Sequence, residues 1–207
     1  LVDKIVNECN GHVGTGLVGG QWLMRTLTEI GQGGLAYTLA TNTTYPSWGY
    51  MADKGATTVW ELWNGDTGDP AMNSGNHVML VGDLIVWFYE NLAGIRPDPA
   101  QPAFKHILMK PLPVGDLRHV RATHRSPYGW IRSEWHRHDP GQPAERFVWD
   151  VTIPPNTTAT AFLPCSNPAT VRESGNPLAA ARGVSLIGLQ GDSTVVKLGS
   201  GSYRLEH

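Results

Sequence analysis

The sequence of 207 residues has little charge and no long apolar run. Only 16% of its residues are charged, whereas 41% are hydrophobic and 9% are aromatic. This composition excludes a disordered chain, because it provides enough apolar material for a sizeable core. The 16 basic residues are outnumbered by 18 acidic ones and form no run, so no nucleic-acid partner is expected. The most apolar segment, 78–92, is interrupted by Gly82, Asp83 and Glu90, so no membrane span is expected either.

Cysteine is also scarce. Cys9 and Cys165 are the only two, and they lie far apart without metal-binding or redox spacing. The chain does not start with a charged segment followed by an apolar one, so no signal peptide is predicted and the compartment stays open. Residues 205–207 (Leu-Glu-His) resemble the stub of a purification tag, and we expect them to lie outside the fold.

Charge and proline divide the chain near Gly94. Residues 1–92 contain nine acidic and three basic residues, whereas residues 93–207 contain nine acidic and thirteen basic ones. Segment 95–102 follows with three prolines, which exclude a helix and indicate a connector.

The first half has the apolar period of helices. The stripes end at glycines, which favour a helix stop, and a long loop is predicted between them at 41–76. The first predicted helix has an apolar stripe at Leu23, Leu27 and Ile30 and stops at Gly31, and a short second helix covers Leu35 to Ala40. The third predicted helix runs from a cap at Asn73 and Ser74 to Gly94. Its apolar stripe consists of His77, Leu80, Val81, Leu84 and Phe88.

The second half has strand patterns separated by Pro, Gly, Asp and Asn. Phe147, Trp149, Val151 and Ile153 alternate most regularly, which indicates one buried face. The spacing of these segments is typical of a sandwich. The predicted strands cover 104–109, 119–124, 130–137, 147–153 and 194–198.

The predicted loop contains an unusual group of aromatic residues. Trp48, Trp60 and Trp63 fall within sixteen positions, and Glu61 lies between the last two. Sugar rings stack their apolar faces on aromatic planes, so this group is typical of a sugar-binding cleft. A carboxylate beside indole is partly desolvated, which disfavours its charged form and suits acid or base catalysis near neutral pH. From composition alone, the alternative stays open that the tryptophans form core and Glu61 lies on the surface.

These residues belong to segments that strongly resemble the C-terminal end of bacterial α-L-rhamnosidases. The order and spacing match that family to about residue 165. The matching segments are 45–51 (YPSWGYM), 55–61 (GATTVWE), 74–77 (SGNH), Gly82, 87–89 (WFY) and 126–129 (SPYG).

The resemblance implies a fold in two parts. Residues 1–94 would be the end of a toroid of six α-helical hairpins, and residues 95–204 would form an antiparallel β-sandwich. The implied activity is inverting hydrolysis of terminal α-L-rhamnose from glycosides, with a rhamnose-containing glycoside or polysaccharide as the partner and no cofactor or metal.

The resemblance also implies site residues. Glu61 matches the general base that activates water, and His77 matches a sugar-contacting histidine, here expected in the first turn of a helix. Trp60, and less firmly Trp48 and Trp63, would line the pocket. Nothing in residues 1–40 resembles the motif that supplies the general acid. We therefore expect a C-terminal fragment that is inactive alone, and whose uncovered toroid faces favour homo-oligomers.

Two other functions stay open. The sandwich could be a carbohydrate-binding module that uses Trp130 and Trp149, or the toroid could act on another sugar, since fold alone does not fix specificity. Metal sites are less favoured. The oxygens of Asn64, Asp66, Asp69 and Asn73 do not follow the calcium-loop spacing. A zinc site is also conceivable among His119, His124, His136 and His138. His136 and His138 share a strand face, but zinc would need a third ligand there.

Overall fold

The structure is a computed structural model that describes residues 1–71, 73–142 and 145–207. The side chains at 80–83 lie outside this description, including those of Leu80 and Val81 in the predicted stripe. The described residues form two compact units, Leu1–Trp87 and Phe88–His207. Helices occupy the first and sheets the second, as the predicted fold class requires. None of the described helices has the length and apolar character needed to cross a membrane.

The first unit consists of helices joined by loops. A π-helical turn at Lys4–Glu8 precedes α1 (Leu17–Glu29), α2 (Gly33–Thr41), α3 (Trp48–Asp53) and α4 (Met79–Trp87). Helix α1 packs against α2 and α4. The buried side chains of these three helices include Leu23, Met24, Leu27, Ala36, Leu39, Leu84 and Trp87.

The predicted end of the first helix is confirmed. Leu23 and Leu27 are buried as the stripe requires, but Ile30 is exposed because α1 already ends at Glu29. Gly31 adopts a φ of 80°, which glycine tolerates without steric cost, and its N–H donates to Thr28 O at 3.1 Å.

Helix α3 lies inside the segment predicted as a loop, so that prediction was wrong for residues 48–53. Its start is a capped one, since Ser47 Oγ accepts a hydrogen bond from Tyr50 N–H at 2.9 Å. A helix of six residues is too short to show an apolar period, which explains why the sequence pattern did not predict it.

Helix α4 begins at Met79, later than the predicted cap at residues 73 and 74. The prediction that His77 lies in its first turn is therefore wrong. Residues 74–77 instead pair their backbone with residues 58–61, which removes them from the helix. After α4, a π-helical turn at Phe88–Leu92 leads to Gly94, whose φ of 74° gives the predicted stop.

The second unit contains eleven strands among its described residues. They are β1 (Ile95–Pro97), β2 (His106–Met109), β3 (His119–Ser126), β4 (Gly129–His138), β5 (Arg146–Ile153), β6 (Thr158–Leu163), β7 (Arg172–Glu173), β8 (Asn176–Pro177), β9 (Val184–Gln190), β10 (Ser193–Leu198) and β11 (Gly201–Glu206), with a 3₁₀ turn at Leu178–Ala180. The five predicted strands correspond to β2, β3, β4, β5 and β10. The predicted connector includes β1, whose Pro97 lies at a sheet edge where a missing N–H is tolerated.

The strands form two sheets. One has the order β1-β2-β6-β10-β9 and the other the order β3-β4-β5-β11-β7-β8. Neighbouring strands are antiparallel except β2 and β6, which are parallel. The first sheet is therefore mixed, a small departure from the predicted antiparallel sandwich.

Both sheets contribute side chains to one core. The predicted alternation is confirmed, because Phe147, Trp149, Val151 and Ile153 are all buried. Complete burial of Trp149 also means that it cannot contact a sugar in the binding-module alternative, whereas Trp130 is 51% exposed.

The last residues of the chain belong to this fold. Strand β11 pairs with β5, and its Tyr203 and Leu205 are buried in the core. His207 and Phe147 exchange two backbone hydrogen bonds of 3.1 Å. The expectation that residues 205–207 lie outside the fold is therefore wrong. The apolar alternation of strand β11 continues through Leu205, and this continuity decides its placement.

Candidate active site

Glu61 is positioned by backbone pairing between two loop segments, 58–61 and 74–77. Glu61 N–H donates to Ser74 O at 2.9 Å, and His77 N–H donates to Val59 O at 2.6 Å. Thr58 Oγ1 adds a short hydrogen bond to Gly75 O. The pairing places residues 61 and 77 side by side although sixteen positions separate them in the chain.

The carboxylate of Glu61 has one oxygen held and one free. Oε2 accepts a hydrogen bond from Ser74 N–H at 3.0 Å and lies 3.8 Å from His77 Nδ1. Within the described part of the chain, Oε1 accepts no hydrogen bond. The side chain of Glu61 is 35% exposed and that of His77 is 15% exposed. A partly exposed carboxylate with an open oxygen can accept a proton from water.

His77 has an unsatisfied ring nitrogen. Its Nδ1 faces Glu61, whereas Nε2 is buried and has no hydrogen-bond partner among the described groups. A buried polar atom without a partner costs about 1–3 kcal/mol, so this nitrogen is suited to a hydroxyl group of a bound molecule. The structure thus brings together two of the predicted site residues, Glu61 and His77.

The predicted tryptophans differ in their surroundings. Trp48 is nearly buried, and Trp63 packs edge-on against it with ring centroids 5.1 Å apart. Trp63 Nε1 also donates to Thr15 O at 2.8 Å, which ties the loop to the segment before α1. The half-buried Trp60 lies over Gly65, where an added Cβ would come within 2.6 Å of the indole ring.

An open cavity lies beside Trp48. Its volume is about 240 Å³, below the ~300–1,000 Å³ of typical small-molecule sites. Its lining is mainly apolar and comes from Trp48, Met51, Ala52, Ala56, Thr57, Thr58, Val59 and Leu84. This cavity alone is smaller than a typical substrate pocket.

The structure also shows a polar pair that the sequence analysis did not predict. Tyr50 OH donates to Asp66 Oδ2 at 2.9 Å, and this hydrogen bond raises the pKa of Tyr50. Asp69 Oδ1 accepts from Ala71 N–H at 2.9 Å, and Asn73 Oδ1 accepts from Leu62 N–H at 3.1 Å. Three of the four residues considered for calcium, Asp66, Asp69 and Asn73, therefore already accept hydrogen bonds from donors of the chain.

Comparison with known families matches two consecutive domains within residues 1–177. The bacterial α-L-rhamnosidase six-hairpin glycosidase domain matches residues 1–92, and the bacterial α-L-rhamnosidase C-terminal domain matches residues 94–177. These two matches meet close to the predicted boundary at residue 94.

Similar proteins are several times longer than this chain. An α-L-rhamnosidase of Streptomyces avermitilis is 35% identical over 205 residues, which cover 97% of this chain and 18% of the relative. An α-L-rhamnosidase of Formosa agariphila is 35% identical over 192 residues, which cover 90% of this chain and 20% of the relative. The chain thus spans about a fifth of the length of these relatives.

Solved structures of α-L-rhamnosidases are also similar to this chain, and they too are several times longer. The Streptomyces avermitilis α-L-rhamnosidase complexed with L-rhamnose has a TM-score of 0.85 at 32% identity and is matched over 98% of this chain and 19% of its own. The α-L-rhamnosidase of Dictyoglomus thermophilum has a TM-score of 0.86 at 31% identity, over 100% of this chain and 22% of its own.

Proposed function

This chain belongs to the bacterial α-L-rhamnosidase family, and we propose that it forms the C-terminal portion of a longer glycosidase that removes terminal α-L-rhamnose from glycosides or polysaccharides with inversion. The main structural support is the pair Glu61 and His77, held close together by backbone pairing. Coverage of only 18–20% of the curated relatives supports a longer parent enzyme. In this proposal residues 1–94 end the catalytic toroid and residues 95–207 form the sandwich, because strand β11 extends to Glu206 and its Leu205 lies in the core.

Glu61 is proposed as the general base. Its Oε2 is held by Ser74 N–H, so Oε1 is available to a water molecule. The water proton transfers to Oε1 while the water oxygen bonds to the anomeric carbon. The glycosidic C–O bond breaks on the opposite face, and the leaving oxygen takes a proton from the general acid. Inversion requires the two carboxyl groups to lie ~6.5–9.5 Å apart, so that water fits between base and sugar.

The general acid is proposed to come from a segment outside these 207 residues. Only Asp3, Glu8 and Glu29 precede the aromatic loop. Asp3 accepts a hydrogen bond from Asn7 at 2.6 Å, and both Glu8 and Glu29 are exposed residues at helix ends. Without the acid, the leaving oxygen would depart as an anion, so the isolated chain should lack activity on ordinary glycosides.

Substrate contacts are assigned to His77 and Trp60. His77 Nε2, which has no partner among the groups that the structure describes, can hydrogen-bond a sugar hydroxyl. The half-buried indole of Trp60 can stack on the apolar face of the ring. The mutual packing of Trp48 and Trp63 supports a role as the wall of the pocket.

The test measures hydrolysis of two aryl α-L-rhamnosides, with a poor and a good leaving group, by the complete enzyme. Glu61→Gln should lower kcat by about 10²–10⁴-fold on both substrates, because a base acts on water whichever group leaves. Retained turnover on the good leaving group would instead identify Glu61 as the acid. Glu29→Gln, an exposed carboxylate at the end of α1, is the matched control and should keep full activity. NMR of the first product should show the inverted anomer.

A second candidate function is glycan binding by the sandwich. A groove of about 300 Å³ crosses the outer face of the six-stranded sheet. Its polar lining includes Arg132, Asp150, Thr152, Ser202 and Arg204. Double substitution of Arg132 and Arg204 by Ala should abolish binding of rhamnosides under this alternative and leave it unchanged under the first. Isothermal calorimetry on the full chain separates the two.

We also propose that the isolated chain self-associates. The helical unit exposes large apolar side chains on α1, namely Val18 and Trp22. Exposed apolar surface of this kind favours association. Light scattering should therefore detect dimers, and a monomer at high concentration would contradict this part.

A further inference from the structure

Three side chains on the outer face of the six-stranded sheet converge. Potential ligand atoms of His119, Glu134 and His136 all lie within 4.8 Å of one another. They form the only such group of three or more His, Cys, Asp or Glu found among the described residues. We propose that these three residues form a zinc-binding site, separate from the candidate active site in the helical unit.

Strand register brings the three residues together. In the pairing of β3 with β4, His119 lies opposite His136 and Arg121 lies opposite Glu134. Residues two apart on a strand share a face, so all four side chains project from the same side of the sheet. The two imidazole rings stack at a centroid distance of 4.2 Å with an interplanar angle of 16°.

Distances within the cluster are close to those that a metal ion requires. Glu134 Oε1 lies 3.2 Å from His119 Nε2 and 3.5 Å from His136 Nε2. A tetrahedral zinc ion with bonds of ~2.0–2.1 Å separates its ligands by ~3.3 Å. An ion bound between these atoms would replace the proton shared by carboxylate and imidazole. Three protein ligands leave a fourth position for water.

The side chains are free to complete this geometry. His119 is 45% exposed, His136 is 42% exposed and Glu134 is 34% exposed, so small ring rotations meet no packed core. Imidazole and carboxylate together suit Zn²⁺ better than Ca²⁺ or Mg²⁺, which prefer ligand sets made of oxygen alone.

The charge of Glu134 also favours a cation. Arg121 Nε lies 3.5 Å from Glu134 Oε2, whereas the two histidines face Oε1. Oε1 therefore stays available to the ion.

A bound ion would connect an edge strand to its neighbour. Strand β3 is the first strand of its sheet and, among the described strands, pairs only with β4. A zinc bridge between His119 and the two β4 ligands would therefore oppose fraying of β3. Because the ion binds the folded form, it should raise the unfolding temperature of the chain.

The test titrates zinc chloride into the full 207-residue chain by isothermal calorimetry and follows the unfolding temperature. The wild type should bind one ion per chain and unfold several degrees higher in its presence. His119→Ala, His136→Ala and Glu134→Gln should each weaken binding by at least about 10–100-fold and remove the thermal shift. Because these residues lie on the surface, circular dichroism should show that each variant keeps its fold.

His138→Ala is the matched control, because His138 is the next outward residue of β4 and lies outside the cluster. It should bind zinc like the wild type. A second control, His77→Ala, tests the other carboxylate–imidazole pair. The proposal would be overturned if the wild type showed no saturable binding, or if His119→Ala and His136→Ala bound zinc as tightly as the wild type. Loss of binding in His77→Ala alone would also overturn it.

Discussion

Glu61 and Ser74 exchange two hydrogen bonds. Glu61 N–H donates to Ser74 O at 2.9 Å, and Ser74 N–H donates to Glu61 Oε2 at 3.0 Å. The backbone of Ser74 therefore fixes both the main chain and the side chain of Glu61. Substitutions that keep the two loop segments paired should therefore keep this carboxylate in place.

Thr58→Val should loosen the pairing without touching the carboxylate. The substitution removes the hydrogen bond from Thr58 Oγ1 to Gly75 O at constant side-chain volume. We expect a loss of about 0.5–1.5 kcal/mol in unfolding free energy, measured by urea denaturation, and a lower kcat in the complete enzyme. Thr57→Val, an exposed neighbour, is the control and should change neither quantity. An unchanged stability would show that the pairing does not need this bond.

His77→Ala should reduce kcat/KM on aryl α-L-rhamnosides in the complete enzyme. The substitution removes the ring nitrogen assigned to a sugar hydroxyl and the imidazole 3.8 Å from Glu61. Loss of a hydrogen bond to substrate should cost about 10-fold or more. His77→Gln keeps a polar group and should recover part of the loss. Full activity of His77→Ala would remove this residue from the site.

Trp63→Phe should affect stability more than catalysis. Phenylalanine preserves the packing against Trp48 but removes the hydrogen bond from Nε1 to Thr15 O. We expect a loss of about 1 kcal/mol in urea denaturation, with kcat/KM within about twofold of wild type. Trp22→Phe, an exposed tryptophan on α1, should leave stability unchanged. A large loss of kcat/KM at constant stability would assign Trp63 to the substrate instead.

Gly94→Ala should strongly destabilise the second unit. Gly94 has a φ of 74°, and an added Cβ would come within 2.3 Å of the Lys110 carbonyl carbon. Gly191→Ala has a similar φ of 57° but meets open space, so it serves as the control. The left-handed conformation alone costs roughly 1–2 kcal/mol, and Gly94→Ala should exceed that cost in thermal unfolding. Equal losses in both variants would show that the backbone relaxes around Lys110.

His106 should make stability depend on pH. Burial lowers its pKa, and its ring nitrogens contact Thr158 Oγ1 at 2.7 Å and Thr160 Oγ1 at 2.9 Å. Asp98 partly offsets this effect of burial, whereas Lys197 adds to it. The unfolded chain then binds a proton near pH 6.5 more readily than the folded chain. Unfolding free energy should therefore fall as pH drops below about 6.5, down to the lowered pKa of the folded state.

The variant His106→Gln should reduce this fall in unfolding free energy, because glutamine does not titrate. Urea denaturation at pH 7 and pH 5 measures the difference. His138→Gln, at an exposed histidine, should keep the pH dependence of the wild type. An equal slope in wild type and His106→Gln would show that other groups cause the effect.

The sequence alone was sufficient for the fold class and for the longer periodic elements, whereas helix α3 and six of the eleven described strands were not predicted. Alternation of Phe147, Trp149, Val151 and Ile153 predicts β5 because a strand with one buried face must repeat every two residues. Gly31 and Gly94 predict helix ends because both adopt positive φ values that other residues avoid. The resemblance also identified Glu61 and His77, which the structure places next to each other.

Only the tertiary structure decided which residues meet across long separations. No local pattern indicates that residues 74–77 pair with 58–61, since His77 continues an apolar helical stripe in the sequence, and pairing with Val59 and Glu61 removes it from the helix. The contact of His119 with Glu134 and His136 depends on strand register, which one-dimensional periodicity does not fix. Leu205 belongs to the core because β5 offers it a partner strand. Hydrophobic period is a local property of the chain, whereas pairing and register depend on the free energy of the whole fold.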